Sequence, residues 1–194
     1  MNDKELDEMY TTSGNGEYLN KTEFPMEGLG NVKIETYGEF NRNGVETYIN
    51  YFKDHLNENS VFYDLGSGLG KMVIHIGEET NVKKSIGVEY SKERHIGATH
   101  LKEKYVTDND RISFIKGNIL KQDLSDATII YFDNTCYSNE ICEEIYNLLP
   151  KGCLITYKRY FPHLDFNIQK KIVDVVFERT YKQNQLVVHT KGDV

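Results

Sequence analysis

The 194-residue sequence is short of cysteine, of basic charge and of long apolar runs. Its three cysteines, Cys136, Cys142 and Cys153, are odd in number and form no C-x-x-C pair. Neither a disulfide framework nor a cysteine zinc site is indicated, and a reducing intracellular compartment is expected, with cytoplasm and nucleus not distinguished. The six histidines have no ligand-like spacing, so no metal is expected. The formal net charge is −7, a balance that argues against direct nucleic-acid binding, which needs a basic surface. The longest apolar run, A-T-I-I-Y-F at 127–132, is far too short to cross a membrane, and the polar start M-N-D-K-E-L-D-E-M-Y does not read as a signal peptide. There is no internal repeat and no low-complexity segment. Charged residues at 27% and hydrophobic ones at 39% fit a globular chain, of a length that suggests one domain.

What is present is an alternation. Residues 1–43 are polar and turn-rich and read as an arm or lid, followed by a domain over 44–194. Val45, Tyr48, Ile49, Phe52 and Leu56 fall at helical spacing. Strands are then expected at 61–64, 85–89, 111–115, 127–132 and 153–158. Helices are expected at 71–79, at 91–105 behind a Ser91 cap, and at 139–149 with Ile141, Ile145, Leu148 and Leu149 on one face. A short helix near 165–172 and a hairpin from 175–180 and 185–190 complete the chain. This predicts an α/β three-layer sandwich with a mostly parallel sheet and a terminal antiparallel pair, its ligand at the carboxyl ends of the strands.

The stretch most loaded with chemistry is Y-D-L-G-S-G-L-G-K, 63–71. Gly66, Gly68 and Gly70 sit between a strand and a helix, where bare backbone can approach a nucleotide-like ligand. Two phosphate motifs fail in detail. G-x-G-x-x-G would need glycine at Lys71. A P-loop would need glycine at Leu65 and a hydroxyl at Met72. The remaining pattern is D-x-G-x-G-x-G with an acid, Glu89, ending the next strand. A carboxylate there can accept both hydroxyls of a ribose, and Asp64 suits a ligand with a cationic end. S-adenosylmethionine has an ammonium and a sulfonium and no phosphate.

With G-N-I at 117–119, D-N at 133–134 and L-L-P-K-G at 148–152, the order of motifs resembles the seven-stranded, Rossmann-like S-adenosylmethionine-dependent methyltransferases over most of the chain. Within that class two acceptors compete at I-I-Y-F-D-N-T-C-Y-S-N, 129–139. Asn134-Thr135-Cys136-Tyr137 is a degenerate N-P-P-Y, the motif of nucleic-acid amino-methyltransferases, with both prolines missing. The stretch also resembles the strand end of the non-SET histone lysine methyltransferases, the disruptor-of-telomeric-silencing (DOT) family. T-Y-G-E at 36–39, D-L-G-S-G-L-G at 64–70 and I-T-Y-K-R-Y-F-P-H-L at 155–164 add to that likeness. N-V-K-K-S-I-G-V-E and I-K-G-N-I-L-K-Q-D-L-S-D-A-T-I-I are similar to segments of small archaeal protein lysine methyltransferases. Both resemblances imply methyl transfer to a lysine ε-amine of a protein substrate, a histone or another lysine-containing protein. They also imply roles. Asn134 would orient the amine or the methionine end of the cofactor, with Tyr37 and Tyr137 as channel walls. Glu39 and Asp64 would hold the ammonium, Glu89 the ribose, and Asn118 and Ile119 the adenine. Asp133 would be a further acid at the reactive end. Lys71 is expected to be a solvated helix residue. The sequence departs from the DOT pattern, which has glutamine at Lys71, aspartate at Asn118 and an aromatic at Ile119. A module that binds the cofactor without transferring methyl remains a third reading.

Overall fold

The computed structural model describes residues 1–13, 38–107, 110–157, 171–178 and 183–192; the side chains of 171–178 and 183–185 lie outside the description. Five helices and seven strands are found there. They are α1 (Asp3–Thr12), α2 (Arg42–Tyr51), β1 (Val61–Leu65), α3 (Lys71–Glu79), β2 (Lys84–Glu89), α4 (Lys92–Tyr105), β3 (Ile112–Lys116), β4 (Ile129–Phe132), α5 (Asn139–Leu148), β5 (Leu154–Tyr157), β6 (Lys171–Glu178) and β7 (Gln183–Thr190).

The strands form one sheet in the order β3-β2-β1-β4-β5-β7-β6. The first five are parallel; β7 runs antiparallel to β5, and β6 pairs antiparallel with β7. The chain builds outward from β1 to β2 and β3, then returns to place β4 on the other side of β1. That reversal opens a crevice at the strand ends between β1 and β4.

Side chains alternate across the strands and feed two cores. Phe62, Ile129 and Tyr131 pack with Val45, Tyr48 and Phe52 of the α2 segment and Val73, Ile74 and Ile76 of α3. Tyr63, Leu65, Ile130 and Phe132 pack on the opposite face with Ile141, Cys142 and Ile145 of α5. β4 is buried along its whole length, which its unbroken apolar run requires. The Ser91 cap forms as its residue type predicts, its hydroxyl accepting from the Arg94 amide.

Three expectations need correction. Residues 3–12 are not part of a loose arm but a helix. Asn2 and Glu5 cap it reciprocally, and its Leu6 and Met9 are buried in the first core. Of the rest of that arm, residues 14–37 lie outside the described residues, Gly38–Phe40 border the cleft described below, and Arg42 begins α2. Leu148 is 40% exposed; Ile141, Cys142, Ile145 and Tyr146 form the buried face of α5 instead. Residues 171 and 172, expected to end a helix, begin β6, because the hairpin is longer than its apolar stretches suggest. Residues 165–170 of that helix lie outside the described residues.

Candidate active site

The crevice is a cleft at the strand ends that opens to solvent. Gly38, Glu39 and Phe40 form one wall, Asp64, Gly66, Ser67 and Gly68 the floor, and Lys71, Met72, Tyr131 and Asp133 the rest of the rim.

The floor is the glycine loop. Gly66 and Ser67 both donate their amides to the Val88 carbonyl, at 2.8 and 3.0 Å, which pins the loop to the end of β2. Gly66 has φ +92° and Gly70 has φ +73°, left-handed values that side chains resist. Gly66 borders the cleft, and a Cβ there would meet only the Tyr137 hydroxyl, at 3.5 Å. Gly70 serves packing instead. A Cβ on it would come within 2.3 Å of the Phe114 ring and 3.1 Å of Ala98.

Glu89 is buried behind the loop. One carboxylate oxygen accepts from the Gly68 amide at 2.8 Å and the other from the Ser91 amide at 2.7 Å. Burial pushes its pKa above the ordinary carboxylate value, against the pull of those two amides, Arg94 and Lys116. Next to it, the Gly117 amide donates to the Glu89 carbonyl at 3.0 Å, which holds the G-N-I turn beside the end of β2. Within that turn the Asn118 side chain accepts from the Leu120 amide at 2.9 Å, and Ile119 is buried in the second core. Neither borders the cleft.

At the end of β4, Asp133 lies on the rim and accepts from the Thr135 amide and hydroxyl, at 3.2 and 2.5 Å. Asn134 is 0% exposed and sits beneath the rim at the start of a 3-10 turn. Tyr137, at the far end of that turn, is half-buried against Phe132, with ring centroids 5.0 Å apart. Burial raises its phenol pKa above the ordinary value. The structure thus brings Glu39, Asp64, Gly66, Gly68 and Asp133 to the cleft. It places Glu89 and Gly70 as supports of the loop, and Asn118, Ile119, Asn134 and Tyr137 outside the lining. Tyr37 lies outside the described residues.

Lys71 overturns its expectation. It is 3% exposed, not solvated, and its ammonium lies 2.6 Å from the Glu39 carboxylate, which is 18% exposed. The mostly apolar stretch K-M-V-I-H-I-G is buried at every position, and its first residue is buried with it. That was the available signal. Phe40, Met72 and Tyr131 also line the cleft with no motif to mark them.

The charges fit a cationic nucleoside better than a phosphate. Three carboxylates, Glu39, Asp64 and Asp133, border the cleft against one ammonium, which already faces Glu39. The bare backbone at Gly66 leaves room for a ligand against the floor, as S-adenosylmethionine would need. Elsewhere on the described surface, Lys102 donates to the Ile112 carbonyl at 2.6 Å, and Lys104 pairs with Glu8 at 2.9 Å.

Comparison with known proteins agrees with this geometry. The family model described as histone methylation protein DOT1 matches residues 30–191. The chain belongs to the DOT1 family. DOT1-family membership brings S-adenosylmethionine as the cofactor, and the resemblance drawn from the glycine loop and Y-G-E is borne out. A protein-lysine N-methyltransferase from Saccharolobus islandicus (strain REY15A) is 37% identical over 76 residues, 39% of this chain and 46% of that protein. The chain therefore matches about half the length of this relative. Two solved structures share the fold. An RNA methyltransferase from Salinibacter ruber in complex with S-adenosyl-L-homocysteine has a TM-score of 0.62 at 19% identity, covering 80% of this chain and 95% of that one. A putative S-adenosyl-L-methionine-dependent methyltransferase from Methanococcus maripaludis has a TM-score of 0.59 at 14% identity, covering 78% and 86%. At those identities they bear on the fold alone, which is the Rossmann-like class expected from the sequence.

Proposed function

We propose that this protein is a methyltransferase that modifies a lysine ε-amine of a protein substrate. The observation that carries the proposal is the acid-lined cleft over the glycine loop in a chain of the DOT1 family. The relative named as a protein-lysine N-methyltransferase supports the choice of acceptor. A histone is one substrate of the right chemistry; the formal charge of −7 favours basic, lysine-rich proteins in general.

When bound, S-adenosylmethionine would supply a methyl group on a sulfonium: a lysine amine that has given its proton to solvent would form the N–C bond as the S–C bond breaks, with the thioether S-adenosylhomocysteine as the leaving group. Asp64 and Glu39 would hold its ammonium, and the Gly66–Gly68 backbone its body. Glu89 fixes the loop from behind through the Gly68 and Ser91 amides. For the amine, the protein must provide approach and deprotonation. Asp133 on the rim attracts the ammonium form. Phe40, Met72 and Tyr131 give the cleft an apolar wall, which favours the neutral amine over one whose ordinary pKa is about 10.4. Asn134 is buried in the turn that follows Asp133, and Tyr137 stands beside the floor at Gly66. Alignment and exclusion of water would then promote the transfer.

One observation favours a second reading. Asn134 is closed off by packing, as a module that binds cofactor without transferring methyl would allow. Incubation of the purified protein with methyl-labelled S-adenosylmethionine and a cell lysate, followed by protease or nuclease treatment, decides between them. Protease-sensitive label recovered as methyllysine supports the proposal. Nuclease-sensitive label overturns it in favour of base methylation, and cofactor binding without label supports the module.

A further inference from the structure

Lys71 is placed where the helix does not favour a cation. It is the first residue of α3, at the positive end of the helix dipole, and no acidic residue occupies that first turn. Gly70 before it gives no side-chain cap. It is also almost wholly buried, which is costly for an ammonium without a partner. Its contact with Glu39 crosses 32 residues of sequence and joins the two sides of the cleft. On the Glu39 side, the next residue, Phe40, is anchored against Tyr131, with ring centroids 5.2 Å apart, and Tyr131 borders the same cleft. Asn41 then caps α2, accepting from the Gly44 amide at 2.9 Å. The wall segment 38–40 is thus fixed at its carboxyl end by an aromatic contact and a helix cap. The Glu39 carboxylate accepts from the Lys71 ammonium at 2.6 Å.

We infer that Lys71 is a positioning residue for the cofactor: through its ion pair it holds Glu39, and with it the Gly38–Phe40 wall, in the place where the cationic end of S-adenosylmethionine binds. The inference rests on the cofactor reading above. It gives a role to a residue that neither the glycine motif nor the acid at the end of β2 would select. Lys71 acts through Glu39. Its charge is matched there, so it does not turn the cleft toward phosphate.

Calorimetric titration with S-adenosylmethionine tests this on Lys71→Arg, Lys71→Gln and Lys71→Met, with the melting temperature recorded for each. Arginine keeps the charge and the bond and should bind nearly as the wild type does. Glutamine should bind less well, and methionine should weaken binding by about tenfold or more, the loss of a charged hydrogen bond. In transfer assays the cofactor KM should rise while kcat at saturating cofactor stays near wild type. A general loss of packing would instead lower kcat and the melting temperature together. If Lys71→Met does not fold, the contrast between glutamine and arginine carries the test. Wild-type protein that binds no S-adenosylmethionine would overturn both this inference and the function above. Wild-type binding matched by the glutamine and methionine variants would overturn this inference alone.

Discussion

The Glu89 carboxylate reaches from the end of β2 to the Gly68 amide, 2.8 Å away, and takes the Ser91 amide on its other oxygen. One buried acid therefore fixes both the glycine loop and the start of α4. Glutamine cannot replace it, because one of the two amides would then face the side-chain NH2 group. Glu89→Gln should lower stability by about 1–3 kcal/mol and weaken cofactor binding. Chemical denaturation and calorimetry check the two effects on one preparation.

Gly66 and Gly70 should fail in different ways when changed to alanine. Both pay roughly 1–2 kcal/mol for a left-handed backbone. At Gly70 the added carbon also strikes the Phe114 ring, so the loss should appear as unfolding. At Gly66 it meets no close neighbour but stands in the cleft, so the protein should fold and lose cofactor affinity. Circular dichroism melts beside binding isotherms separate the two.

His75 predicts an acid-side loss of stability. Burial, with a smaller contribution from Arg42, lowers its pKa from about 6.5 to about 4, and its Nδ1 lies 3.0 Å from the Tyr10 hydroxyl. A histidine held neutral in the folded state stabilises fully above the unfolded value. That contribution shrinks as pH falls through 6.5 toward 4, because the unfolded chain takes up the proton first. The whole contribution is roughly 3 kcal/mol. Urea unfolding between pH 4 and 7 should show a steeper fall in the wild type than in His75→Gln.

The amino-terminal helix should matter for stability. Met9 is fully buried in the first core, and Arg42 of α2 contacts Asp3 and Asp7 of α1. Met9→Ala should cost about 2–5 kcal/mol, whereas Arg42→Ala, which removes exposed pairs, should cost about 1 kcal/mol or less. Urea midpoints of the two variants give the comparison.

Much of this was legible in the sequence where one short segment decides its own structure. The run at Ile129–Phe132 read as a buried strand, Ser91 as a cap, and Gly66 and Gly68 marked the floor. The helix at Asp3–Thr12 had its own signal, Asn2 followed by Glu5 and an apolar pair at Leu6 and Met9, outweighed by the polar composition around it. Lys71 was not legible as a paired residue, because its partner is 32 positions away and the pair exists only once β1 and α2 are packed. Nor was the burial of Asn134, which follows from how the turn after β4 folds under its own rim.

The most direct measurement is calorimetric titration of the wild type and Asp64→Asn with S-adenosylmethionine and, separately, with ATP. A cleft with three carboxylates around a bare glycine loop should bind S-adenosylmethionine, lose about tenfold or more in affinity when Asp64 becomes asparagine, and show no saturable binding of ATP. Tight ATP binding, or S-adenosylmethionine binding unchanged in Asp64→Asn, would contradict a site built for a cationic cofactor.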